Sequence, residues 1–394
     1  MSRMERRQLL LGSAALLAGS LTGRSAWSAS KLLPAPALQP IRISMDRVTG
    51  VTVCTRPFRA AGPRLEVEKI GQQSVVHHYG HGGSGWSLSW GSGALAAQMA
   101  LGTGERDIGV IGCGAIGLTT ALQLQRKGAG VTIYARDTPP DVRSSFATGG
   151  WTPDSRICLE DHATSAFKQQ WQTMARTSWR MYQGLLGLSG DPVEFVESYS
   201  LSDTPQDDEP EPTPDDGRPK FARLSRELIP ELGSKAESID PRSTPFVAPY
   251  VRRRARLTFN IGIYTRLLLE DFRSAGGRLV IDELHSPADF ARLPHKTLVN
   301  CTGYGARALL GDESIVPVRG QLARLMHEPG VRYGLSYHRV SLTSRRDTIV
   351  LQAQDTDANS YNGYNDATIE PDMATVERAV QTLSTAYRPG HRRA

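Results

Sequence analysis

The chain has 394 residues, 39% of them hydrophobic, with 38 glycines and 24 prolines in no fixed period and a formal net charge of +6. That composition excludes a disordered, collagen-like or low-complexity protein, and the length predicts two domains with sizeable cores. Half of the charge excess lies in the first 29 residues, where Arg3, Arg6, Arg7 and Arg24 face only Glu5, so no nucleic-acid partner is expected.

Glu5-Arg6-Arg7-Gln8 precedes an apolar stretch from Leu9 to Leu21 and a small-residue zone, Ser25-Ala26-Trp27-Ser28-Ala29. Because the apolar run is shorter than the ~20 residues that span a bilayer, residues 1–29 read as a signal peptide. The arginine pair points to twin-arginine export machinery, and so to a periplasmic or secreted protein that folds, with any cofactor loading, before it crosses the membrane. Residues 30–40 read as a Pro-rich linker. The four cysteines, Cys54, Cys113, Cys158 and Cys301, share no close spacing and read as free thiols. No CxxC, HExxH or clustered His/carboxylate spacing occurs, so no metal site is expected.

Ile41 to Arg59 reads as extended, and Arg64 to Val76 as a strand pair. A glycine-dense stretch, Tyr79 to Trp86, leads into an Ala-rich helix over Ser92 to Leu101. Next come a strand, Asp107 to Ile111, the motif Gly112-Cys113-Gly114-Ala115-Ile116-Gly117, a helix to Lys127 and a strand, Val131 to Tyr134. Strand, GxGxxG, helix and strand in that order define a dinucleotide-binding unit. Gly112 permits the tight turn, Gly114 the approach of a pyrophosphate, and Gly117 close helix packing. The N–H groups at Ala115 and Ile116 add the positive end of the helix. Asp137 is the candidate ribose ligand, one position late, whereas Arg136 would favour a 2′-phosphate; the motif leaves FAD and NAD(P) both open.

Leu201 to Lys220 is acidic and Pro-rich and reads as a surface loop. The run Arg252, Arg253, Arg254 and Arg256 reads as a solvated face or a set of ion-pair donors. Ile263 to Ala275 is an amphipathic helix ended by Gly276-Gly277, followed by a strand from Arg278 to Asp282. Leu298 to Gly303 is a strand ending in a small-residue turn, a feature that collects at the ligand crevice of open α/β sheets. Met373 to Tyr387 is helix-like.

Six segments together resemble the D-amino-acid oxidase family of FAD-dependent enzymes. They are Gly112 to Ala121, Ala147 to Pro153, Val299 to Gly303, Pro317-Val318-Arg319-Gly320-Gln321, Thr55-Arg56-Pro57 and His78 to Gly85. Their order differs from the family's, in which the Arg-Pro and Tyr-Gly-His-Gly-Gly segments close the chain. The resemblance therefore implies a circular permutant, which is physically cheap where the native ends lie close together. It implies an α/β fold: a Rossmann-type FAD-binding domain (70–153 and 226–320) interleaved with an antiparallel α+β substrate domain (41–69, 154–225 and 321–390).

The resemblance also assigns roles. Arg56 anchors the substrate carboxylate, with Gly83, Tyr333 and Tyr337 shaping the pocket. The FAD site takes Gly112, Gly114, Ala115, Ile116 and Gly117, then Arg136 and Asp137, then Ser144, Thr148, Gly149 and Gly150. Thr302 and Gly303 join from the late strand, and Gly82, Gly83, Gly85, Trp86 and Ser87 from the glycine-dense stretch. No residue is assigned as an acid or base. The implied chemistry is hydride transfer from an amino-acid substrate to the flavin, giving an imino acid that hydrolyses to a 2-oxo acid and ammonia, with dioxygen as acceptor and hydrogen peroxide as product. Ser84 stands where an aromatic is usual, Cys54 where a glycine is, and Gln352-Ala353 where a Gly-Gly pair is. These departures admit glycine, sarcosine or another small amine, a dehydrogenase serving a quinone, or a non-catalytic flavin-binding protein.

Overall fold

The computed structural model describes residues 32–205, 219–353 and 363–390. The expected signal peptide and the middle of the acidic segment lie outside the described residues. In chain order the strands are β1 (Val48–Arg59), β2 (Arg64–Ile70), β3 (Gln73–Tyr79), β4 (Asp107–Ile111), β5 (Gly130–Ala135), β6 (Val193–Ser202) and β7 (Glu237–Ile239). They continue with β8 (Tyr250–Phe259), β9 (Arg278–Ile281), β10 (Thr297–Asn300), β11 (Ile315–Leu325), β12 (Tyr333–Tyr337), β13 (Val340–Ser344) and β14 (Ile349–Ala353). The α-helices are α1 (Gly85–Gly102), α2 (Ala115–Arg126), α3 (Ser165–Gln183), α4 (Ser225–Leu228), α5 (Ile261–Ser274), α6 (Ala306–Leu310) and α7 (Met373–Ser384).

Six strands form one sheet in the order β2-β3-β10-β4-β5-β9, parallel throughout except for the β2–β3 hairpin. Every residue of β3 is buried, as a strand covered on both faces requires, whereas edge strand β2 keeps its charged residues in solvent. Helices α1, α2 and α5 bring Trp90, Ala97, Leu118, Leu122 and Tyr264 into one core with Ile108, Val131 and Ile133 of this sheet. The second sheet has eight strands, in the order β1-β11-β14-β13-β12-β6-β8-β7, and is antiparallel except at β12–β6. Its own core joins Tyr199, Phe246, Leu335 and Ile349 to Val376, Val380 and Leu383 of α7.

Two segments fall on the other side of the boundaries drawn from sequence. Strand β2, expected with the substrate segment 41–69, belongs to the six-stranded sheet because Gly71 turns it directly back from β3. Strands β7 and β8, expected with the FAD-binding segment 226–320, belong to the eight-stranded sheet, where β8 pairs with β6 along its whole length. The Ala-rich helix starts at Gly85 rather than at Ser92, so the end of the glycine-dense stretch is itself helical. Helix α3 buries Trp171, Met174, Ala175, Ser178 and Tyr182 on one stripe, and Thr164 caps it by accepting from Phe167 N.

Helix α1 packs against α2 and α3, and at Gly91 the approach to α3 is so close that a Cβ would collide with the Met174 carbonyl. Gly91→Ala is therefore expected to cost about 1–3 kcal/mol in chemical denaturation, because backbone must move to admit it. Gly102→Ala, at a position on the same helix with open space around it, is expected to leave stability unchanged or raise it slightly.

Candidate active site

The glycine motif is built by backbone contacts. Gly112 turns out of β4 at φ 108, donates to Tyr134 O at 2.7 Å, and leaves room for the β10 chain: a Cβ on it would lie 2.6 Å from Cys301 O. At Gly117 a Cβ would collide with the Gly112 carbonyl, so this glycine lets α2 start directly under the turn. Gly114 is the N-cap of α2, and Ser144, arriving from beyond β5, accepts from Ala115 N at 3.0 Å. Thr302 donates from Oγ1 to Asn300 Oδ1 at 2.7 Å and begins the turn into Gly303. Gly112, Gly114, Ala115, Ile116, Gly117, Ser144, Thr302 and Gly303 therefore meet at the C-terminal ends of β4 and β10, with α2 presenting its N-terminus. Asp137 follows β5, and Arg136 is held by Asp137 and Glu283, each at 2.9 Å. That pairing engages Arg136, the residue on which the 2′-phosphate reading turned.

The glycine-dense stretch lies against the segment that follows Gly149 and Gly150. Gly82 stands at φ 55, where a Cβ would collide with Arg156 O, and at Gly83 it would lie 2.5 Å from Ser155 Oγ. Gly83 N donates to Ser155 O at 2.9 Å and Gly82 N to Pro57 O at 2.8 Å. The neighbour that requires glycine at these two positions is thus the Ser155-Arg156 backbone. The resemblance assigns that closeness to a flavin ring; in the direction of these two Cβ positions lie Arg156 and Ser155. Trp86 Nε1 donates to Ser144 O at 2.8 Å, and Ser87 Oγ accepts from Thr152 N at 2.7 Å, so the start of α1 is tied to both cradle segments. Thr148, Gly149 and Gly150 run beside the end of β8, with Phe259 N donating to Gly149 O at 2.6 Å. Gly85 has open space where its Cβ would be.

Arg56 lies on β1 opposite Val318 of β11. Its guanidinium rests on the face of Gly320, where a Cβ would stand 2.5 to 2.8 Å from its terminal atoms, and its Nη1 donates to Arg319 O at 3.0 Å. It lines a small, partly open pocket together with Arg156, Arg319, Gln321, Gln352 and Thr375. Arg319 is already engaged by the Thr368 and Glu370 carbonyls and by Asp366, whereas Arg56 is the residue to which the resemblance points.

Tyr333 and Tyr337 are not brought to this pocket. Both point into the second core: Tyr333 Oη donates to Gln39 O at 2.9 Å and meets Tyr387 Oη at 2.8 Å, and Tyr337 Oη donates to Asp203 at 2.8 Å. The alternation of β12 puts Tyr333, Leu335 and Tyr337 on one face, and that face packs against Tyr199 and Phe246. Sequence reading missed Gly320, although it stands two residues beyond Arg56's cross-strand partner, where a long side chain reaches diagonally. It also missed Ser155 and Arg156, which lie just past the Ala147 to Pro153 segment, after Asp154.

Beside the glycine-dense stretch, His81 is buried with neither ring nitrogen partnered, and His78 uses only Nδ1, against Thr120 Oγ1 at 3.0 Å. Unsatisfied buried nitrogens next to a bare-backbone cradle and a helix N-terminus suit a large polar dinucleotide. The residues fit FAD.

Fold and site define a dinucleotide-binding α/β oxidoreductase. The profile of the FAD dependent oxidoreductase family matches residues 107–392, and the chain belongs to that family. It is 30% identical over 223 residues to a D-amino-acid oxidase of Rubrobacter xylanophilus, covering 56% of this chain and 60% of that one. It is 27% identical over 235 residues to a D-amino-acid oxidase of Streptomyces coelicolor, covering 58% and 62%. The chain thus spans about three fifths of the length of these curated relatives. Among solved structures it is similar to a glycine oxidase from Geobacillus kaustophilus, with a TM-score of 0.48 and 12% identity over 71% of this chain and 78% of that one.

Burial pushes His81 down to about 3, and burial with the neighbouring His81 ring holds His78 well below its ordinary value. Unfolding at pH below about 6.5 returns both imidazoles to water, where they take up protons the folded state lacks. Stability is therefore present above that pH and lost as pH falls through it, by about 1.4 kcal/mol per histidine per pH unit. Urea midpoints measured from pH 7.5 to pH 5 should fall in this way, and His81→Asn should make the fall shallower.

Proposed function

We propose that the protein is an exported, FAD-dependent amino-acid oxidase. It converts an amino acid, dioxygen and water into the 2-oxo acid, ammonia and hydrogen peroxide. When bound, FAD supplies the two-electron chemistry by taking the hydride of the substrate Cα. The chain supplies placement. Arg56 binds the α-carboxylate through a planar fork, and Gly320 beneath it fixes the plane of that fork. A carboxylate held in this way fixes the reacting carbon, which is the main service a protein can give to hydride transfer. The amine needs no protein base if it enters neutral, in keeping with a pocket whose polar lining is guanidinium, amide and hydroxyl groups beside Leu351 and Val376.

One observation carries this reading: the Arg56 guanidinium lines a small pocket with Arg156, whose backbone packs directly on the glycine-dense stretch that borders the cofactor cradle. The circularly permuted order belongs to the same proposal. It is supported by the family match starting at residue 107, with the Arg-Pro and glycine-rich segments ahead of it. Export to the periplasm or medium is supported by the arginine pair, short apolar run and small-residue zone of residues 1–29. A leader attached through Pro-rich linker residues to the eight-stranded sheet would leave the core strand β4 undisturbed.

Arg56→Ala is expected to keep its FAD absorbance and lose roughly 100-fold or more in kcat/KM for amino acids, the worth of two charge-assisted hydrogen bonds. Unchanged turnover in that variant would remove Arg56 from the substrate site.

A further inference from the structure

The last residue of β10, Asn300, is fully buried, and its side chain joins the cofactor turn to the edge of the six-stranded sheet. Its Oδ1 accepts from Thr302 N at 3.2 Å and from Thr302 Oγ1 at 2.7 Å. Its Nδ2 faces Nδ1 of His77 at 3.5 Å, where β10 runs in register with β3. His77 is also fully buried, and its Nε2 meets Oε2 of Glu68 on β2 at 2.9 Å. Glu68, His77, Asn300 and Thr302 thus form one line, from a half-exposed carboxylate on the edge strand to the turn that borders the cradle.

The direction of each bond in this line is determined. A backbone N–H only donates, so the Asn300 atom facing Thr302 N is the carbonyl oxygen, and the atom facing His77 is the amide nitrogen. An amide nitrogen only donates, so His77 Nδ1 accepts; the ring proton sits on Nε2, where the Glu68 carboxylate receives it. His77 is therefore neutral. Arg64 holds the same Glu68 oxygen at 2.9 Å, and its charge and the His77 bond keep this carboxyl below its ordinary value. Burial lowers His77 from its ordinary value, with Arg64 acting in the same sense and Glu68 and Glu66 in the opposite one. The Tyr79 ring stands edge-on to His77 at 5.7 Å, with its hydroxyl donating to Asp312 at 2.8 Å.

We propose that His77 is a positioning residue for the cofactor turn: its neutral ring fixes the Asn300 amide, and Asn300 fixes Thr302. A second ring proton, on Nδ1, would set two donors face to face. Asn300 relieves that only by turning its amide, which brings its NH2 group against Thr302 and withdraws the acceptor from both Thr302 groups. The proposal rests on the reading of the Thr302 turn as part of the FAD cradle. FAD held by that turn disfavours the protonated ring, so binding is full above the ordinary histidine range and is lost as pH falls below it. His77 is given no part in the reaction itself, since it acts through Asn300 and Thr302. The sequence hid this line because β2 and β3 lie more than 200 residues from Asn300 in the chain.

The test is release of FAD from the loaded full chain on dilution, read by the rise in flavin fluorescence at equilibrium between pH 8 and pH 5. Wild type is expected to lose at least about fivefold in FAD affinity over that range. His77→Asn places a carboxamide oxygen near the Nδ1 position and does not titrate. Its affinity is expected to change by no more than about twofold over the same range, although His78 and His81 are still present. Glu68→Gln, at a half-exposed position, removes a charge that favours the protonated ring and is expected to move the fall to lower pH. A flat wild-type profile would overturn the proposal, as would a fall of wild-type size in His77→Asn or an unmoved midpoint in Glu68→Gln. The wild-type and Glu68→Gln profiles decide the matter whether or not His77→Asn folds. The failures are separable: a chain that takes up no FAD at any pH sinks the FAD reading and this proposal with it, whereas pH-independent FAD binding by wild type sinks the proposal alone.

Discussion

Strand β10, inserted in parallel between β3 and β4, is the constraint on which the rest of the structure depends. It comes from residue 297 onward, far along the chain from both neighbours, and its hydrogen bonds to each leave no freedom of register. Cys301 N donates to Ile111 O at 2.8 Å, so the turn after β10 and the glycine turn after β4 lie side by side. From that adjacency follow the need for glycine at position 112, the position of Thr302, and the open α2 N-terminus between them. Because β3 is the other neighbour, its exit at Tyr79 directs the glycine-dense stretch to the same end of the sheet. The cofactor cradle is thus a consequence of sheet order.

The substrate side is attached to that cradle through backbone rather than through side chains. Gly82 and Gly83 let the Ser155-Arg156 chain approach within hydrogen-bond distance, and Pro57 O accepts from Gly82 N one residue after the anchor Arg56. Arg56 is therefore related to the cradle through a few short, stiff links. Gly320 plays the matching part on the far side of the anchor, since any side chain there would move the guanidinium.

Much of this was legible in the sequence, for a physical reason. The β4–α2–β5 unit follows the expected boundaries closely, because a glycine turn, a buried strand and a helix N-terminus are local requirements. The hairpin at Gly71, the helix ended by Gly276 and the strand leading to Thr302 are local in the same sense. What sequence reading missed depends on long-range packing. Tyr333 and Tyr337 were placed by resemblance in a pocket, but the face of β12 that carries them is decided by Tyr199 and Phe246, more than 80 residues away. The arginine run split in a way its spacing could have indicated: Arg253 faces Glu237 and Glu197, while Arg256, on the opposite face of the strand, turns inward to Gly150. No local signal marks Arg156, whose carbonyl lies against Gly82.

The most direct measurement is the absorbance spectrum of the purified protein, recorded anaerobically before and after addition of acidic and neutral amino acids of both configurations, and again after air is admitted. The account predicts flavin absorbance that is bleached by an amino acid and restored by air, with hydrogen peroxide formed in step. A colourless protein, or a flavin spectrum that no amino acid alters, would contradict it.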